Sequence, residues 1–143
     1  MNDNQNREKL NMQEQETITI RNLATGYKGK HKTYIVARDI NASAIIAVTT
    51  SGYTAEKMAK YKPSAPIIAA TPDKKTYHQQ ALTRGVYPVI TEFSDKWSDL
   101  MAEAVSGAER MKFVKKGDCI VLSAGMPLQR AGTTNLIRVI TVE

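Results

Sequence analysis

The sequence predicts a three-layer α/β/α domain: a mostly parallel, five-stranded sheet in the order 3-2-1-4-5, with its last strand antiparallel at an edge. Three observations carry this. Short apolar runs alternate with stretches of helical spacing, the pattern of a parallel sheet covered on both faces with right-handed crossovers. The fourth and fifth runs are joined by a loop with no helix, and a parallel neighbour needs a crossover of about a dozen residues or more, so strand five is antiparallel. The run 44–49 feeds straight into a helix through Thr49, Thr50, Ser51, Gly52, Tyr53 and Thr54, which sets hydroxyls around one glycine where the winding of the sheet reverses.

Length and composition set the frame. The 143 residues suffice for one domain with a proper core, and 42% hydrophobic with 24% charged residues are globular values. No run approaches the ~18 to 20 apolar residues of a membrane span. The stretch from Met1 to Lys9 lacks the apolar centre of a secretory signal, so a cytoplasmic protein is expected, with no membrane partner. The single cysteine, Cys119, lies in an apolar run and is read as a buried, inert thiol. The net charge of +6 suits polyanions or phosphorylated small molecules. Its lysines fall in short groups without interleaved aromatics, which reads as solvated surface rather than a nucleic-acid interface.

Residues 1 to about 13 offer no apolar face and are expected to be largely disordered. Between Gln15 and Ala24, Ile18, Ile20 and Leu23 suit a strand by alternation or a helix by spacing, and both stay open. Gly26–Lys30 reads as a turn or break, followed by a short helix down to Asn41 and the first strand at 44–49. A helix over 52–61 stops before Pro63 and Pro66. Strand two covers 66–70. Thr71-Pro72-Asp73 reads as a hydroxyl cap, a proline at the first helical position and an acid in the first turn of a helix that runs to Arg84. Strand three, 85–90, belongs near a sheet edge because Pro88 lacks a donor.

Ser94 is expected to cap the longest helix, in which Trp97, Leu100, Met101, Ala104, Val105, Ala108 and Met111 form one apolar stripe facing the sheet. Asp95, Asp99 and Glu103 share another face, read as solvated rather than metal-binding. His78 reads as a surface side chain, far in sequence from His31. Strand four covers 119–124, a long loop follows, and Leu136–Val142 alternates as strand five.

Oriented amides, hydroxyls and the start of a helix together make an anion site, most often for phosphate. Thr49–Thr54 has all three, and it lies beyond the carboxyl ends of the strands at the switch point, where ligands of open α/β sheets bind.

Further residues carry a resemblance. Ala44 to Pro63, then Pro66-Ile67-Ile68-Ala69, Arg84-Gly85-Val86 with Pro88, Lys116-Gly117-Asp118 and Gly132-Thr133-Thr134-Asn135 occur in the order found in the C-terminal domain of pyruvate kinase, which residues 33–143 resemble; residues 1–32 match poorly. The resemblance implies a regulatory domain that binds a phosphorylated effector. It carries over Thr49, Ser51, Gly52 and Thr54 as the phosphate loop, with Thr50 and Tyr53 giving backbone amides and Gly132 and Thr133 closing over the ligand. Asp99 stands where members that answer to fructose 1,6-bisphosphate place an arginine, so a sugar monophosphate or AMP is expected. The family's transfer of phosphate from phosphoenolpyruvate to ADP uses a barrel domain not contained in these residues. The chain alone is therefore expected to be inactive, with no cofactor or metal in this domain, whether it stands alone or is a piece of the enzyme. A homodimer through strand 136–142 is expected from its unblocked, β-branched edge, with a proline at Ile140 as its probe. The alternative function is an oligomerisation or structural domain with no specific ligand.

Overall fold

The computed structural model describes residues 17–19, 26–94, 96–125 and 136–143. In chain order these form β1 (Thr17–Thr19), α1 (Gly26–Asp39), β2 (Ala44–Val48), α2 (Tyr53–Ala59), β3 (Ile67–Thr71), α3 (Lys74–Gln80), β4 (Val86–Ile90), α4 (Trp97–Arg110), β5 (Cys119–Ala124) and β6 (Leu136–Thr141). The sheet runs β1-β6-β5-β2-β3-β4. β2 is parallel to both β3 and β5, β3 is parallel to β4, and β6 is antiparallel to β5. Numbered from β2 to β6, this is the expected order 3-2-1-4-5. The addition is β1, which pairs antiparallel with the outer edge of β6 at Leu136, Ile137 and Arg138.

The central strands are apolar on both faces because both faces are covered. On one side Ile46, Ile68, Ala70, Ile120 and Leu122 meet Ala104 and Ala108 of α4. On the other, Ile45, Ala47, Ile67, Ala69 and Val121 meet Ala37 of α1 and Ala55 and Met58 of α2. Ile45, Ile46, Ile67, Ile68, Ile120 and Leu122 are each fully buried, and such burial stabilises by about 1.5 to 3 kcal/mol per side chain. Of the expected stripe, Leu100, Ala104 and Ala108 are buried, Met101, Val105 and the C-cap Met111 flank them, and the Trp97 side chain lies outside what is described.

Several boundaries differ from expectation. Gly26–Lys30 is the first part of α1, not a break. That helix ends in a double closure, with Ala42 N–H donating to Ala37 C=O and Asn41 N–H to Arg38 C=O around a left-handed Asn41 (φ 53). α3 begins after Asp73, not after Thr71. The Asp73 carboxylate accepts from Thr76 N–H at 2.6 Å, which holds its pKa below the ordinary carboxylate range, while Thr71 Oγ1 accepts from Asp73 N–H. A carboxylate is the stronger acceptor, so it takes the cap. α3 stops at Gln80 rather than Arg84, because the amides of Leu82 and Thr83 close three-residue turns onto Gln79 and Gln80.

α4 begins at Trp97 with Lys96 as its cap. The hydroxyl of Ser94 accepts from Lys96 N–H two residues on, in a turn completed before the helix starts, so Ser94 does not cap it. α4 and α1 are equally long at 14 residues each. Cys119 is half-buried rather than buried, with its Sγ 4.0 Å from Thr141 Oγ1.

Pro88 lies on an edge strand as expected. Ile67 N–H bonds Gly85 C=O and Thr91 N–H bonds Thr71 C=O. By the alternation of a parallel ladder, Tyr87 and Val89 therefore turn their backbone groups to β3, while Val86, Pro88 and Ile90 turn theirs outward. The proline removes no bond from the sheet.

Candidate functional site

The turn between β2 and α2 brings Thr49, Thr50, Ser51, Gly52, Tyr53 and Thr54 together at the carboxyl end of the central strand, flanked by the ends of β3 and β5. Gly52 is the N-cap of α2 with φ 82 and ψ −8, a left-handed conformation that glycine adopts without strain. A second constraint acts on the same residue. A Cβ there would meet the amide of Gln80 on α3, with Cδ at 2.7 Å and Nε2 closer still. Gln80 is fully buried and donates from Nε2 to Glu56 Oε1 at 3.1 Å, so it has little room to withdraw.

The hydroxyls at the strand ends mostly tie off their own loops. Thr49 Oγ1 accepts from Gly52 N–H at 2.9 Å, and Ser51 Oγ accepts from Tyr53 N–H at 3.4 Å. Ser123 Oγ, at the end of β5, accepts from the buried hydroxyl of Thr33 on α1. The amides of Gly52 and Tyr53 are thus bonded within the turn. Those of Thr50 and Ser51 make no hydrogen bond among the described residues.

Thr76 accounts for how the Ser51 amide is held. Its hydroxyl, on the buried face of α3, donates to Thr50 C=O at 2.7 Å. A trans peptide points its N–H opposite to its C=O, so fixing the Thr50 carbonyl toward α3 aims the Ser51 N–H away from it. Thr76 bonds the turn from 26 residues away, Gln80 packs beside Gly52 while bonding Glu56 of α2 from 24 residues away, and no local pattern marks either for this. α2 has only seven residues, so the turn's own donors matter more than a helix dipole. Thr54 is buried, Tyr53 is half-exposed, and Lys57 Nζ lies 5.1 Å from the Tyr53 ring centroid, bringing a cation beside the turn.

The other named residues stand apart. Asp99 is exposed in the first turn of α4, with Oδ2 3.3 Å from Ser94 Oγ. Glu103 Oε2 accepts from Glu92 N–H at 2.8 Å. His78 is exposed on α3, edge-on to Tyr77. Gly132, Thr133 and Asp95 lie outside the described residues. Among the described residues, no three His, Cys, Asp or Glu side chains gather as a metal site, and no helix is long and apolar enough to cross a membrane.

A sequence model of the family described as "Pyruvate kinase, alpha/beta domain" matches residues 31–140. The chain is similar to the pyruvate kinase of Clostridium acetobutylicum, 40% identical over 111 residues, covering 78% of this chain and 24% of that enzyme. It is likewise similar to that of Thermotoga maritima, 39% identical over 113 residues, covering 79% and 24%. For that of Staphylococcus haemolyticus the identity is 42% over 102 residues, covering 71% and 17%. The chain therefore spans a quarter or less of the length of these relatives.

Proposed function

This chain belongs to the family of pyruvate kinase C-terminal α/β domains, and on that premise we propose that it is a regulatory domain whose turn Thr49–Thr54 takes the phosphate of a small phosphorylated metabolite. The observation that carries the reading is the pair of amides at Thr50 and Ser51, which have no hydrogen-bond partner among the described residues, with the Ser51 amide oriented through Thr76. A phosphate there gains charge-assisted bonds from these amides and from the neighbouring hydroxyls, each contributing on the order of 1.5 to 3 kcal/mol. Gly132 and Thr133 close over the ligand in this reading.

A sugar monophosphate or AMP is favoured over a bisphosphate. The exposed carboxylate of Asp99 repels a second phosphate, and Lys96 is the nearest cation in sequence to offset it. In the whole enzyme the effector would tune phosphoryl transfer from phosphoenolpyruvate to ADP, a glycolytic role that carries a cytoplasmic location with it. The domain itself takes no cofactor.

Calorimetric titration with ribose 5-phosphate, glucose 6-phosphate, AMP and fructose 1,6-bisphosphate tests the reading. A monophosphate should bind best, and Ser51→Ala with Thr54→Val should weaken it about tenfold or more, the loss expected for one or two such bonds. Unchanged affinity in the double variant removes the turn from the site. Preference for the bisphosphate refutes the role given to Asp99, and no binding by any of the four leaves a structural domain.

A homodimer through strand 136–142 is the second part of the proposal. Among the described residues β1 covers β6 opposite Leu136–Arg138. Val142 N–H bonds Asp118 C=O, so Ile140 also faces β5, and Val139 and Thr141 turn their backbone groups outward. Among the described residues these two positions have no covering strand, and Val139, not Ile140, is where a proline removes an outward donor.

A further inference from the structure

The open edge of β4 forms the floor of a groove of about 640 Å³, a volume in the range of small-molecule sites. α3 walls one side with Lys74, Tyr77 and His78, which share a helix face at i, i+3 and i+4. The end of α4 walls the other with Arg110 and Met111. Pro88, Val89 and Ile90 lie between them. The groove is separate from the phosphate turn, because α3 meets that turn through Thr76 and Gln80 and meets the groove through Lys74, Tyr77 and His78.

Its chemistry is two-sided. The floor and part of the walls are apolar, with Ile90 45% exposed although its neighbour Val89 is buried. The rim is cationic. Neither Lys74 nor Arg110 has a carboxylate within ion-pair distance among the described residues, where Arg38–Asp39 is the one ion pair. Of the nearby acids, Asp73 caps α3, and Glu109 lines a different groove. An extended peptide added to β4 is a poor fit. Val86 N–H is bonded to Thr83 C=O and Pro88 has none, which leaves Ile90 as the strand's outward donor.

We propose that the β4 groove between α3 and α4 is a second binding site, one that takes a small amphipathic anion with a flat apolar body on Pro88–Ile90 and an acidic group between Lys74 and Arg110. The body gains burial of apolar surface, and the acidic group gains two cations that have no ion-pair partner among the described residues.

Three probes test this on the full chain by NMR titration: 1-naphthalenesulfonate, the neutral 1-naphthol, and inorganic phosphate. The sulfonate should bind saturably, shift the Ile90 amide, and bind at least tenfold tighter than the other two. Lys74→Glu with Arg110→Glu, both exposed and so compatible with folding, should abolish the saturable shift, whereas Ser51→Ala with Thr54→Val should leave it unchanged. Equal binding of 1-naphthol refutes the role of the cations, and equal binding of phosphate refutes that of the apolar floor. A shift that survives the charge reversal, or no shift at Ile90, overturns the site. Because the turn variant is tested in parallel, failure here is distinguishable from failure of the phosphate turn.

Discussion

Gly52 and Gly85 form a controlled pair for the claim that Gln80 holds the phosphate turn. Their φ values are nearly the same, +82° and +79°, but a Cβ at Gly85 meets nothing within 4 Å, while one at Gly52 runs into the Gln80 amide. Gly85→Ala should therefore show left-handed strain alone, about 1 to 2 kcal/mol, less the ~0.4 to 1 kcal/mol returned by a stiffer unfolded chain. Its net destabilisation is roughly 0 to 1.6 kcal/mol. Gly52→Ala carries the same strain and also displaces a fully buried Gln80 from its bond to Glu56. A hydrogen bond to a charged group contributes about 1.5 to 3 kcal/mol, so the expected total is roughly 1.5 to 4.6 kcal/mol. Urea unfolding with linear extrapolation measures both, provided the slope m is unchanged. In a Gln80→Ala background the clash disappears and the two alanine variants should differ by less than about 0.5 kcal/mol, the usual scatter for independent sites. Equal destabilisation by Gly52→Ala and Gly85→Ala in the wild-type background would refute the reasoning.

Thr76→Val keeps the side-chain volume but leaves the Thr50 carbonyl unpaired; stability should fall by about 1 to 3 kcal/mol and monophosphate affinity should drop, with Thr76→Ser restoring both, as stability curves and calorimetry will show. Asp73 has a folded pKa lowered chiefly by the Thr76 amide, so its contribution is present above the ordinary carboxylate range and lost as pH falls through the lower folded value. The gap in urea midpoint between wild type and Asp73→Ala should thus be constant from neutral pH down to about pH 4 and close below it. Val139→Pro should convert a sedimenting dimer to monomer without unfolding it, whereas a dimer that survives places the contact elsewhere.

The order of β2 to β6 was legible because short apolar runs alternate with stretches of helical spacing and the last two runs are joined without a helix; Pro88 even marked its own edge. The turn Thr49–Thr54 stood out as a candidate for a local reason, the crowding of hydroxyls around Gly52. What the sequence hid was long-range or a matter of competition. Thr17–Thr19 suits either structure until β6 offers an edge. Gly26 and Gly29 suggest a break, since a helical glycine costs about 1 kcal/mol relative to alanine, but packing of Ala37 against the sheet outweighs it. Thr76 and Gln80 reach the turn from another helix. Their types are ordinary for a helix face, so nothing in the linear pattern separates them from solvent-facing neighbours.

The central claim, that the Thr50 and Ser51 amides receive a phosphate, is tested most directly by amide correlation spectra of the full chain titrated with ribose 5-phosphate. The account predicts that these two amides show the largest saturable shifts, and that Thr76→Val, still folded, reduces them. Saturable shifts that leave Thr50 and Ser51 unmoved, or that are as large in Thr76→Val, would contradict it.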